Sequence, residues 1–72
     1  MAETEIRAEM VASVLNVLVD NGASVSDGDT LVMLESMKME IPVLAEAAGT
    51  VRTIAVAAGD TLRRGDLIAV VG

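Results

Sequence analysis

The sequence contains no cysteine, histidine, phenylalanine, tyrosine or tryptophan, and only one proline and one lysine among its 72 residues. Each absence removes a class of protein. Without cysteine there is no disulfide, and without cysteine or histidine there is no ordinary zinc site, so neither device that usually staples a small domain is available. The same two absences exclude a Ser-His or Cys-His nucleophile and any side chain that normally titrates near neutral pH. Paired carboxylates remain, but so short a chain has little room for a substrate cleft. No catalytic residue and no metal ligand is therefore expected. Nothing aromatic can stack on bases, and 11 acidic against 5 basic residues give a net charge of −6, which a phosphate backbone repels. No apolar run approaches the ~18 residues of a membrane span. The acidic start Met1-Ala2-Glu3-Thr4-Glu5 is unlike a signal peptide. These exclusions leave one soluble, cytoplasmic domain that binds neither nucleic acid nor membrane.

What the chain does have is aliphatic bulk, with 11 Val, 11 Ala, 7 Leu and 4 Ile to build a core. It also repeats. A shift of 37 positions aligns residues 3–35 with residues 40–72, and eight of the 33 pairs are identical, among them Glu3/Glu40, Val14/Val51, Gly22/Gly59 and Gly28/Gly65. Many other pairs exchange one aliphatic for another, as in Ile6/Val43, Val17/Ile54, Val25/Leu62 and Leu31/Ile68. Within each half, Thr4, Ile6 and Ala8 alternate with polar neighbours, as do Ile41, Val43 and Ala45, which is the period of a strand. Val14, Val17 and Val19 step by three and then by two, and so do Val51, Ile54 and Val56, so a bulge or bend is expected at the same place in both halves. Gly with Asp nearby marks the turns. The pattern predicts strands at roughly 3–9, 13–20, 24–25, 30–35, 40–46, 50–57, 61–62 and 67–71. The expected fold is all-β: a flattened eight-stranded barrel or sandwich of two four-stranded halves related by a pseudo-two-fold axis, whose closure hides sheet edges.

The repeat leaves four residues over, Ser36, Met37, Lys38 and Met39, which is one β-turn between two strands. Its central residues are Met37 and Lys38, where a tight hairpin favours Asn-Gly or Gly-Gly because both positions need φ > 0. A non-glycine residue there costs about 1–2 kcal/mol. The chain uses glycine at its other turns and withholds it here, and a local rule broken at one place points to function. The occupant is the only lysine in the protein. An exposed lysine is a protonated, weak nucleophile by itself, so Lys38 suits modification by another enzyme better than Schiff-base chemistry of its own.

Glu35-Ser36-Met37-Lys38-Met39-Glu40 resembles the biotin-attachment motif of biotin carboxyl carrier domains, a small residue followed by Met-Lys-Met. The resemblance covers nearly the whole chain and includes the matched patterns Val25/Gly28/Leu31 and Leu62/Gly65/Ile68. It implies a single biotinyl domain over residues 1–72, with repeat halves 3–35 and 40–72 joined by the turn 36–39. Lys38 would carry covalent biotin, placed there by a biotin protein ligase that recognises Met37 and Met39, with Glu35, Ser36 and Glu40 as motif context. It further implies a monomeric carrier, not an enzyme. Such a carrier moves a carboxyl group between the biotin carboxylase and carboxyltransferase subunits of an acyl-CoA or related carboxylase, with acetyl-CoA carboxylase and fatty acid biosynthesis as the suggested setting.

Two departures stand out. The family's usual Pro-Gly step is Val11-Ala12 here, although Gly49 keeps the glycine in the second half, and the interval from Val19 to Val25 leaves no room for the protruding loop of some acetyl-CoA carboxylase carriers. With its own Met1 and no carboxylase or transferase segment, the chain reads as a free-standing minimal domain. A lipoyl domain shares the fold but usually flanks its lysine with Asp and Ala, against Met37 and Met39. An unmodified β interaction module is the alternative from another class. Arg64-Gly65-Asp66 matches a cell-adhesion tripeptide, but its repeat partner is Asp27-Gly28-Asp29, so both are read as one kind of turn. Neither has the ligand spacing of a calcium loop.

Overall fold

The alternating aliphatics form eight strands in the computed structural model, which describes residues 3–72. Met1 and Ala2, which open the acidic N-terminal stretch, lie outside the described residues. The strands are β1 (Thr4–Arg7), β2 (Ala12–Val17), β3 (Ser24–Val25), β4 (Thr30–Ser36), β5 (Met39–Leu44), β6 (Gly49–Ile54), β7 (Thr61–Leu62) and β8 (Leu67–Val71). They pair as two four-stranded antiparallel sheets, in the orders β1-β8-β6-β3 and β5-β4-β2-β7. The sequence repeat exchanges β1 with β5, β2 with β6, β3 with β7 and β4 with β8, and so converts one order into the other. Registers follow the same rule: Thr4 pairs with Val71 as Ile41 pairs with Leu34, and Val14 pairs with Leu34 as Val51 pairs with Val71.

Each sheet takes two strands from each half, so neither half owns a sheet and the core is built jointly. Leu31, Val32, Val51 and Ile68 are the largest fully buried side chains. Burying an aliphatic of this size contributes about 1.5–3 kcal/mol, and no buried polar side chain subtracts from that among the described residues. The expected irregularity is present in both halves: the register shifts between Val14 and Asn16 against β4, and between Val51 and Thr53 against β8. Pro42 sits in β5, an edge strand, where a missing N–H costs no ladder bond.

Four strands stop sooner than alternation suggests: β1 ends at Arg7 and β5 at Leu44, although Ala8 and Ala45 beyond them are still buried, and β2 and β6 fall short by more. β2 ends at Val17 and β6 at Ile54, although Val19 and Val56 still pack on the core. One further backbone bond continues each pairing, Leu18 N–H to Leu31 O at 2.9 Å and Ala55 N–H to Ile68 O at 2.9 Å, and then the chain leaves its ladder. Periodicity reports which way a side chain faces, and facing the core outlasts pairing. Four of the five tight turns among the described residues fall at glycines, Gly22, Gly28, Gly59 and Gly65. Gly28 and Gly65 hold φ of 91° and 93°, the third position of a type II turn that only glycine enters without strain. In each turn the following aspartate accepts a backbone N–H: Ser26 to Asp29 Oδ2 at 2.8 Å, and Arg63 to Asp66 Oδ2 at 2.9 Å. Asp27-Gly28-Asp29 and Arg64-Gly65-Asp66 are thus one turn used twice, and no group of three acidic side chains suited to a metal ion occurs among the described residues.

Candidate functional site

The longest ladder in the molecule presents the site. β4 and β5 run antiparallel from Thr30↔Leu44 to Ser36↔Met39, leaving a two-residue loop of Met37 and Lys38. Met37 has φ of 52° and Lys38 has φ of 65°, the only non-glycine positive values in the described chain. The twist of the flanking strands selects this primed turn geometry, so the ladder imposes a backbone that the two residues do not favour. The loop is paired down to its root and strained at its apex.

The side chains point outward. Met37 is 89% exposed and Met39 is 61% exposed, so neither is core. Lys38 is exposed, and no hydrogen bond or salt bridge holds its amine among the described residues. Below the apex, Glu35 and Glu40 face each other directly across the ladder, both exposed. Like charges opposite one another oppose pairing, a second local rule broken within three residues of the lysine. All six motif residues, Glu35 to Glu40, therefore gather on one hairpin end.

Two residues that sequence reasoning passed over also belong there. Ser36 Oγ donates a hydrogen bond to Val11 O at 3.1 Å, tying the hairpin tip to the bend that precedes β2. Val11 is 63% exposed and Met10 is 40% exposed, which widens the apolar surface around Met37 and Met39. The signal was available: Ala12 and Val14 face the core, so the alternation puts Val11 outward, where valine is unusual. The Val11-Ala12 departure leaves the bend intact, because Ala12 is buried in ordinary strand conformation and needs no glycine.

A shallow groove between edge strands β1 and β5, lined by Arg7, Met10, Ile41, Pro42 and Leu44 among others, encloses about 220 Å³. That is below the ~300–1,000 Å³ of small-molecule sites. An exposed amine at the apex of the longest ladder, held up on a two-residue turn, is placed where other proteins can act upon it.

Comparison with known proteins agrees. The family profile described as "Biotin-requiring enzyme", the biotin/lipoyl attachment family, matches residues 4–71. The chain is similar to a "Biotinylated protein TB7.3 homolog" of Mycobacterium leprae, 59% identical over 71 residues and 99% of both chains. It is similar to a "Biotin carboxyl carrier protein" of Streptococcus mutans, 43% identical over 65 residues, which is 90% of this chain and 50% of that protein. Among solved structures, a single-chain, multi-domain long-chain acyl-CoA carboxylase superposes with a TM-score of 0.88 and 32% identity over 94% of this chain, and only 7% of that one. The chain belongs to the biotin/lipoyl attachment family, as a non-catalytic carrier domain whose group is biotin. The residues present fit that group: covalent attachment needs one accessible amine, and the only lysine stands exposed and unpaired at the hairpin apex.

Proposed function

We propose that Lys38 is the biotin attachment point and that a biotin protein ligase installs the group there. The observation that carries this reading is the positive-φ apex of the β4–β5 hairpin, which holds the sole lysine between two exposed methionines. In this reading the amine of Lys38 gives up a proton and attacks the activated carboxyl carbon of biotin, forming an amide and releasing the activating group. Met37 and Met39 supply apolar contacts to the ligase, and Ser36 holds the turn in place through Val11. Glu35 and Glu40 set a negative field at the root of the hairpin, suited to a partner with basic groups around its active site.

The attached group supplies a ureido nitrogen that accepts and surrenders a carboxyl group. The chain contributes position. A stiff hairpin and a flexible lysine arm keep the carried group at high effective concentration near successive active sites, while the partners perform the chemistry. We assign those partners as a biotin carboxylase and a carboxyltransferase acting on an acyl-CoA or related acceptor, with the carrier monomeric and cytoplasmic. The test is direct. Incubation with biotin protein ligase, ATP and biotin should add the mass of one biotin to the protein and none to Lys38→Arg. A wild-type protein that stays unmodified overturns the assignment.

A further inference from the structure

The side chains missing from this sequence leave its oxidation chemistry to one residue type. Cysteine, histidine, tyrosine and tryptophan are absent, so methionine thioethers are the only readily oxidised groups in the chain. Of the four methionines in the described residues, Met33 is half-buried in β4 and Met10 is 40% exposed, while Met39 and Met37 are the two most open at 61% and 89%. Among the described residues, the two most exposed thioethers thus flank the one lysine.

We propose that Met37 and Met39 form a reversible sulfoxide modification site, acted on by peroxide, that switches off acylation of Lys38. The inference rests on the reading of Lys38 as the ligase target. A lone pair on the thioether sulfur attacks one peroxide oxygen; the O–O bond breaks, an S–O bond forms, and water leaves. Sulfur is oxidised by two electrons and the peroxide is reduced by two. Methionine sulfoxide reductase returns the thioether at the cost of two electrons from a dithiol. The product is polar and chiral where the thioether was flexible and apolar, so the apolar collar offered to the ligase is lost at its centre. The fold is spared, because neither side chain contributes to the core.

Hydrogen peroxide treatment of the unbiotinylated protein, followed by peptide mass spectrometry, should place sulfoxide on Met37 and Met39 before Met10 and Met33. The treated protein should then be acylated by biotin ligase roughly tenfold more slowly, the loss expected from about 1.4 kcal/mol of recognition. The two methionine sulfoxide reductases, one for each sulfoxide epimer, should together restore the rate. The Met37→Leu/Met39→Leu double variant should show the same rate before and after peroxide, each compared with its own untreated sample. Earlier oxidation of Met10 or Met33 overturns the proposal, as does an unchanged rate once Met37 and Met39 are oxidised. An untreated protein that takes up no biotin defeats the assignment of Lys38, and the switch with it; acylation of untreated protein together with insensitivity to sulfoxide defeats the switch alone.

Discussion

The hairpin end carrying Lys38 and the end formed by β8 and β1 are copies of one arrangement, and they differ in charge. The repeat maps Glu40 onto Glu3, Glu35 onto Gly72 and Leu15 onto Arg52. At the β8–β1 end, Glu3 lies against Gly72, so close that a Cβ on Gly72 would meet Glu3 Cγ at 2.7 Å, and the Arg52 guanidinium approaches the Glu3 carboxylate at 3.9 Å. At the Lys38 end, Glu40 faces Glu35, and leucine stands where the arginine was. One copy is relieved and the other frustrated. The turn residues add to the contrast, since residues 36–39 have no counterpart in the repeat and hold two side chains at positive φ. Because backbone and register are shared, fold stability does not explain the frustration. Display does.

If the hairpin end alone is competent, a lysine on the copy should stay unmodified. Glu3→Lys in the Lys38→Arg background is expected to take up no biotin in a ligase reaction read by mass spectrometry. Incorporation there would show that an exposed lysine on this fold suffices and that the turn is dispensable. Next in size are the cores of the two halves. Leu31→Ala and Ile68→Ala truncate repeat partners that are both fully buried, and each should lose about 2–5 kcal/mol in chemical denaturation. Similar losses would show that the halves are equal in energy as well as in shape; a disparity of several kcal/mol would break the comparison.

Much of this is legible in the sequence. Strand positions, the paired bulges near Val14 and Val51, and the positive φ at Met37 and Lys38 all follow from local rules: side-chain alternation, a step of three then two, and the length of a two-residue loop. The interleaving of halves was not legible. Ser13 must find Glu35 on one side and Thr61 on the other, and periodicity specifies faces, not neighbours. The Ser36–Val11 bond was hidden for the same reason, since 25 residues separate a side chain from the carbonyl it meets. Alternation overruns the strand ends at Arg7, Val17, Leu44 and Ile54 because Ala8, Val19, Ala45 and Val56 keep facing the core after their backbones leave the ladder.

A smaller effect tests strain at the apex. Met37→Asn places a residue that tolerates left-handed backbone at φ of 52°, and should stabilise the protein by about 0.4–1 kcal/mol in urea denaturation. Ligase modification of Lys38, followed by avidin capture, should fall in the same variant because an apolar flank is removed. Destabilisation would mean that the strands do not impose the turn, and the argument from strain to display would fail.

The smallest effect isolates the charge difference between the two ends. Glu35→Gln removes one member of the Glu35/Glu40 pair without changing its shape, and relief of the repulsion should add about 0.2–1 kcal/mol of stability. Both side chains are exposed, so the gain should sit at the lower end of that range and shrink as salt shortens the screening length. Glu3→Gln makes the opposite change at the copy, removing a carboxylate from beside Arg52, and should cost a few tenths of a kcal/mol or nothing. Denaturation of both variants at low and at high salt gives four numbers. Opposite signs at low salt, converging toward zero at high salt, are expected. A Glu35→Gln variant no more stable than the wild type at low salt would show that the hairpin carboxylates do not repel strongly enough to matter, leaving the strained turn as the source of frustration at the Lys38 end.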